Sequence, residues 1–215
     1  MKKIASIVSA LAFAAIAAGV QANAADGSSW GPGADDANFK AMLKSGFRAK
    51  GIATLDRLDQ DATQAFCSDP DRANSKESAA QKAKIEADNM AAIKWPSDGK
   101  WLGDWKEGEK LAQSGRGLTS TDKAGDVNGG NCYNCHQLSP KEISYGTIGP
   151  SLTNYARIKG VDEEAMRYVW GHIYDSKAYN ACSNMPRAGY KGILTEKQIK
   201  DLMALLLDPN SPVNQ

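Results

Sequence analysis

This sequence has no excess of charge of either sign, and it has few cysteines and histidines. Its 215 residues include 26 lysines and arginines, 25 aspartates and glutamates and two histidines, so the formal net charge is +1. That balance provides neither a basic stripe for nucleic acid nor an acidic tail. Four cysteines are too few for a small disulfide-framework protein, so each cysteine needs its own explanation.

Long apolar runs are missing after the first 24 residues. Lys2 and Lys3 precede an uncharged, mostly apolar run over 4–20, and an Ala-Asn-Ala triplet follows at 22–24. A positive start, an apolar run and a small-residue cleavage site are the three parts of a secretory signal peptide. The alternative is a transmembrane anchor, for which the run is short. We predict that residues 1–24 are a cleaved signal peptide and that the mature chain is periplasmic, with no membrane span.

Alternating strand patterns are almost absent, whereas apolar residues recur at helical spacing. Two capping boxes are predicted, Asn74 with Glu77 and Thr195 with Gln198, and Asp162 is a third predicted cap. The predicted helices are 36–44, 52–65, 74–93, 107–114, one after residue 162, and one from 195 that ends at 208–209. The sequence therefore predicts an all-α fold.

A loop rich in tryptophan divides the chain. It contains Pro96, Gly99 and Gly103 together with three of the five tryptophans, Trp95, Trp101 and Trp105. We predict that it separates an N-terminal helical extension, residues 25–104, from a main domain, residues 105–215. Its aromatic rings are predicted to pack the extension onto that domain rather than to bind a substrate.

The segment Cys132-Tyr133-Asn134-Cys135-His136 is a C-x-x-C-H motif, the attachment signature of a c-type haem. Two thiols three positions apart share one face of a helical turn, so both can form thioethers to the vinyl groups of a haem across that turn. The next histidine then reaches the iron as the proximal ligand. A thioredoxin-like pair would need a βαβ setting, and a zinc site would need a second Cys/His pair.

The second axial ligand has four candidates downstream of the motif: Met166, His172, Met185 and Met203. Two of the methionines, at 166 and 203, lie on apolar helical stripes, which indicates core positions. His172 lies inside a helix, where a lone histidine is more often packed than ligating. Met185 lies in a loop 49 residues after His136, so we predict that Met185 is the ligand and His172 the alternative. Methionine–histidine ligation fills both axial positions and raises the reduction potential relative to two histidines. It predicts outer-sphere electron transfer without a catalytic side chain.

Three other sets of residues leave alternatives open. Cys67 and Cys182 remain once a haem uses the other two cysteines, and they are either a disulfide, buried thiols or one reactive thiol. The turn at 148–152 offers a carbonyl near Gly149 or Pro150 for the free ring N–H of the ligating histidine, or it is a simple loop turn. Candidates for lining the haem pocket or pairing with propionates, for which ordinary placement is the alternative, are Tyr155, Arg157, Trp170 and Arg187.

Several segments of the chain resemble the SoxX family, the monohaem subunit of the SoxAX cytochromes. The resemblance covers about residues 105–214 and rests on 130–137, 146–152, 181–187, 192–196 and 207–214. It implies a class I cytochrome c-like fold with one covalently bound haem c. In that family pattern Cys132 and Cys135 carry the thioethers, and His136 and Met185 bind the iron.

The same resemblance implies partners and a reaction. A SoxA-like haem subunit would form a heterodimer with this chain, as an L-cysteine S-thiosulfotransferase that joins thiosulfate oxidatively to a cysteine of a SoxYZ-like carrier. The catalytic haem is expected on the partner, and this chain would pass electrons to a soluble cytochrome c. One alternative is a free-standing monohaem electron carrier of a respiratory chain, and another is a peroxidase or gas sensor with an open haem site.

Overall fold

The computed structural model describes residues 37–215, and the signal peptide predicted at 1–24 lies outside them. The α-helices of this range are α1 (Ala37–Gly46), α2 (Ala62–Ser68), α3 (Pro70–Ala73), α4 (Ser78–Ala92), α5 (Trp105–Gln113), α6 (Tyr155–Lys159), α7 (Glu163–Asp175) and α8 (Glu196–Leu207). Short 3-10 turns lie at Leu55–Leu58, Cys132–Asn134, Ser176–Ala178 and Pro212–Asn214. Within this range the only β-pairing is an isolated bridge between Lys50 and Ala53. The all-α prediction is therefore confirmed. None of the described helices is long and apolar enough to cross a membrane.

Side-chain caps define where the two longest helices of the C-terminal half begin. The carboxylate of Asp162 accepts a hydrogen bond from the backbone N–H of Ala165 at 2.8 Å, which starts α7. Thr195 and Gln198 form the reciprocal capping box at the start of α8. Both caps satisfy backbone N–H groups that have no partner within the helix. Both were predicted from sequence and are confirmed.

Two predictions in the extension are wrong in detail. The stripe over 52–65 predicts one helix, but the 3-10 turn at 55–58 ends at Asp59, whose backbone is extended. Asp61 then caps α2 through the N–H of Gln64, so its side chain favours a new helix start over continuation of the old one. The Asn74–Glu77 capping box is also wrong, because α4 begins at Ser78 with no side-chain cap.

Helices α5 and α8 cross closely at the centre of the main domain. A Cβ added at Gly108 of α5 would lie 2.1 Å from the backbone oxygen of Asp201 in α8, so only glycine allows the two backbones to approach this far. Asp201 also accepts a hydrogen bond from the backbone N–H of Asp104 at 2.9 Å. The surrounding core includes Val169, Trp170, Met203, Leu205 and Leu207, each at most 2% exposed. The turn at 132–134, which follows α5 in the chain, packs against the same core through Cys132 and Tyr133.

Aromatic rings hold the extension against this main core. Trp95 packs edge-on to Trp101 with ring centroids 6.2 Å apart, and Trp101 packs in the same way on Trp170 at 6.1 Å. The indole N–H of Trp170 donates to the backbone oxygen of Lys94 at 2.9 Å. A packing role for the tryptophans of the loop is therefore confirmed, whereas the domain boundary near residue 105 stays a prediction.

A second small core joins the extension to the segment after α7. It contains Phe66, Ala73 and Ile85 of the extension together with Ala181, which is 1% exposed. Cys67 and Cys182 form a disulfide beside it, with Cα atoms 5.4 Å apart. Of the three alternatives for these cysteines, the disulfide is the one that the structure contains.

Candidate functional site

The C-x-x-C-H motif folds as a tight turn. Cys132 to Asn134 form a 3-10 turn, and the backbone oxygen of Cys132 accepts hydrogen bonds from the N–H groups of Cys135 at 3.1 Å and His136 at 2.9 Å. Cys132 and Cys135 are both half-buried free thiols, so they are not joined to each other. This places two thiols and the following imidazole on one compact turn, as the motif predicts.

The imidazole of His136 is oriented by a backbone carbonyl. Its Nδ1 lies 2.7 Å from the oxygen of Pro150. A carbonyl can only accept a hydrogen bond, so Nδ1 carries the proton and Nε2 keeps its lone pair for a metal. The predicted acceptor in the 148–152 turn is confirmed, and it is Pro150.

The segment 146–152 lies directly against the motif. The backbone N–H groups of Gly146 and Gly149 donate to the oxygens of Tyr133 and Cys135, both at 2.8 Å. A Cβ added at position 149 would lie 2.2 Å from Cε1 of His136, so the backbone of Gly149 covers the imidazole. A Cβ at position 146 would lie 1.7 Å from the oxygen of Asn134. Sequence reasoning named Gly149 only as a possible hydrogen-bond acceptor and did not predict that the backbone of either glycine lies this close to the motif.

Met185 lies in a loop, as predicted, between the 3-10 turn after α7 and helix α8. Its backbone oxygen accepts a hydrogen bond from the hydroxyl of Ser176 at 2.7 Å, and its N–H donates to Oγ of Ser183 at 3.2 Å. The half-buried side chains of Met185 and Cys132 both pack against the main core. The loop that contains Met185 and the turn at 132–136 therefore border the same hydrophobic core.

The other three ligand candidates lie in helices. Met203 in α8 is 0% exposed, and Met166 in α7 is packed against the main core. The ring of His172 lies 4.1 Å from that of Tyr168 and 4.0 Å from that of Tyr179. Burial lowers the pKa of His172. Aromatic packing of this kind supports the interpretation of His172 as a packed histidine.

A group of buried charged side chains lies next to the loop that contains Met185, and the sequence analysis did not identify it. Arg187 is 6% exposed and forms an ion pair with Asp61, so ordinary structural pairing explains this arginine. Lys177 is also buried, and its Nζ donates to the backbone oxygens of Ala181 at 3.2 Å and Ser183 at 3.3 Å. Single charges scattered over a sequence carry no signal of such a cluster, because only the folded chain brings them together.

Asp175 completes the charged group and is 0% exposed. One carboxylate oxygen accepts the backbone N–H of Lys177 at 3.1 Å, and the other has no hydrogen-bond partner among the described residues. Burial raises the pKa of Asp175, against the lowering effect of that hydrogen bond and of the nearby cations.

Burial also affects the acidity of a thiol in the motif. Burial raises the pKa of the Cys132 thiol to about 12. The thiol is therefore protonated near neutral pH, the form in which S–H adds across a vinyl group. In residues 37–215 no group of three or more histidine, cysteine, aspartate or glutamate side chains could hold a metal ion.

Comparison with known proteins agrees with this geometry. Residues 106–208 match the family model described as cytochrome c. The chain is also 38% identical over 157 residues to a protein of Aquifex aeolicus (strain VF5) named "Uncharacterized lipoprotein", with 73% of each chain covered. The chain belongs to the cytochrome c family. This cytochrome therefore has the covalently bound haem c and the electron-transfer role of its family.

The similarity to the Aquifex protein also extends beyond the cytochrome domain. The 157 matched residues are more than the 110 residues that remain from position 106 to the end of the chain. Part of the extension that precedes the cytochrome domain is therefore shared with that relative.

Proposed function

We propose that this cytochrome is the electron-transfer subunit of a SoxAX-type complex in the periplasm. The observation that supports an electron-transfer role most directly is the turn at 132–136, where two free thiols adjoin an imidazole with Nε2 available. The finer assignment is supported by the resemblance of residues 105–214 to the SoxX family. The Aquifex relative is named a lipoprotein, which supports a location outside the cytoplasm.

In this proposal, four residues hold one haem. Cys132 and Cys135 would form the thioethers, and Nε2 of His136 and the thioether of Met185 would bind the iron. The carbonyl of Pro150 keeps the imidazole in the tautomer that ligation requires. The bound haem supplies reversible one-electron chemistry at the iron.

The protein itself does no acid–base work on a substrate in this proposal. Its residues would attach the haem and bind its iron, and two of them, Cys132 and Met185, pack against the main hydrophobic core. A thioether ligand would favour the reduced state, since methionine–histidine ligation raises the reduction potential. The oxidative joining of thiosulfate to a SoxYZ-like carrier takes place on a SoxA-like partner, and electrons pass through this chain to a soluble cytochrome c.

A free-standing electron carrier of a respiratory chain is the alternative, because a cytochrome c domain with one haem is sufficient for that role. Purification of the untagged protein from its native periplasm distinguishes the two. We expect a second haem-containing chain to co-elute at fixed stoichiometry, and the complex to reduce its haem when thiosulfate and the carrier are supplied. A monomer that is oxidised efficiently by a respiratory oxidase but is inert with thiosulfate would contradict the proposal.

A further inference from the structure

The loop that contains Met185 has little support from its own backbone. We call residues 181–187 the ligand loop. Residues 184–186 make no backbone-to-backbone hydrogen bond within the described chain. Their position depends instead on side chains, such as the hydroxyls of Ser176 and Ser183 that bond Met185. A loop of this kind keeps one conformation only if something outside it restricts its freedom.

The extension provides that restriction on both sides of Met185. The disulfide from Cys67 in α2 is attached three residues before Met185, at Cys182. Asp61, the cap of α2, forms its ion pair two residues after Met185, at Arg187. Glu86 of α4 accepts a hydrogen bond from the backbone N–H of Ala181 at 3.0 Å, at the start of the loop.

The ligand-loop partners of Asp61 and Glu86, Arg187 and Ala181, are shielded from water, whereas the side chain of Asp61 is 32% exposed. The side chain of Arg187 is 5% exposed and its guanidinium lies 4.9 Å from the ring centre of Tyr190. Phe66 and Ile85 are 3% and 6% exposed where they pack with Ala181. An exposed ion pair contributes little, whereas one with a buried partner is costly to break.

We propose that helices α2 and α4 form a clamp that positions Met185 for iron ligation. Cys67, Asp61 and Glu86 are positioning residues in this clamp, since each is bonded to the ligand loop and acts through it. The inference rests on the proposed function in one respect, because it takes Met185 as the second axial ligand. Loss of the clamp lets the loop leave the iron, which opens the site and lowers the reduction potential.

The test compares two clamp variants with a matched control in the haem-loaded protein. The double variant Cys67→Ala/Cys182→Ala removes the disulfide, and Asp61→Asn removes the ion pair. Asp98→Asn is the control, because Asp98 also ties the extension to the main domain, but through Lys200 of α8 at 2.6 Å rather than through the ligand loop. Each variant is examined for the red-end absorption band of methionine-ligated ferric haem, for carbon monoxide binding to the ferrous protein and for the reduction potential.

We expect the two clamp variants to lose part of the red-end band, to have a lower potential and to bind carbon monoxide about tenfold more tightly, which corresponds to about 1.4 kcal/mol. The control should match the wild type in all three measurements. Far-ultraviolet circular dichroism establishes that each variant is folded, and Asp61→Asn decides the question if the double variant is not.

The possible failures are distinguishable. If the wild type lacks the band and binds carbon monoxide readily, methionine ligation is wrong and the proposed function fails with it. If the wild type is six-coordinate and Met185→Ala opens the site, but the folded clamp variants resemble the wild type, the clamp is wrong and the proposed function stands. The clamp is also wrong if Asp98→Asn changes the three measurements as much as the clamp variants do. The changes would then result from general destabilisation and not from release of the ligand loop.

Discussion

At the scale of single residues, the backbone of Gly149 lies directly against the imidazole of His136. The substitution Gly149→Ala would place a methyl group 2.2 Å from Cε1 of the imidazole. We expect the ring or the turn to shift, the hydrogen bond to Pro150 to break and the haem content per protein to fall. Pyridine haemochrome absorbance measures that content. Gly46→Ala is the matched control, because no atom lies within 4 Å of a Cβ at position 46.

The identity of the second ligand is also decided by single substitutions. We expect Met185→Ala to lower the reduction potential and to let carbon monoxide bind, because the thioether would be lost from the iron. His172→Ala should leave both properties close to those of the wild type, since its ring packs between two tyrosines. Potentiometric titration and carbon monoxide difference spectra check both variants. The reverse pattern would assign the ligand to His172.

The lowered pKa of Asp61 predicts that the stability of the folded protein depends on pH. Partial burial acts to raise the pKa of Asp61, but hydrogen bonds from Arg187, from the backbone of Gln64 and from Lys191 lower it to about 2. The carboxyl is more acidic in the folded state than in the unfolded state, so its contribution is complete above pH ~4 and is lost as the pH falls towards ~2. After allowance for solvent screening we expect about 1–2 kcal/mol.

Urea unfolding of the wild type and of Asp61→Asn between acidic and neutral pH measures this contribution. We expect the difference in unfolding free energy to be largest near neutral pH and to shrink as the pH falls towards 2. A difference that stayed constant over this range would show that the ion pair with Arg187 is not its source.

At the scale of secondary structure elements, the crossing of α5 and α8 sets the shape of the main core. Gly108→Ala would improve the helix propensity of α5 by about 1 kcal/mol, yet the added methyl group would lie 2.1 Å from the oxygen of Asp201. Because both backbones would have to move apart, we expect a net loss of about 1–3 kcal/mol in unfolding free energy. Urea unfolding checks this value, and a stability equal to or above that of the wild type would contradict it.

Elements also differ in how far their sequence predicts them. Helices α7 and α8 were predicted because an N-cap and a 3.6-residue apolar stripe agree within each segment. The segment 52–65 was mispredicted because its apolar stripe runs through Asp61, whose side chain forms a cap that starts a new helix. The apolar period alone does not show which of these local tendencies prevails.

At the scale of the whole molecule, the Cys67–Cys182 disulfide closes a loop between positions 115 residues apart. A covalent link over that separation restricts the unfolded chain strongly, so we expect Cys67→Ala/Cys182→Ala to lose about 2–5 kcal/mol in unfolding free energy. The measurement is urea unfolding of the haem-loaded protein followed by circular dichroism. A loss below about 1 kcal/mol would show that the bridge adds little to what the two hydrophobic cores already hold together.

The haem-attachment motif, the helical class and the starts of α7 and α8 were determined by the sequence alone. They depend on residues within about five positions of one another, where the spacing of two thiols and a histidine or of a cap and its partner is preserved whatever the rest of the chain does. The acceptor for His136, the disulfide, the Asp61–Arg187 pair and the close approach at Gly108 were decided by the tertiary structure. These contacts join residues 14 to 126 positions apart, and such pairs meet only where packing of the hydrophobic cores brings distant parts of the chain together.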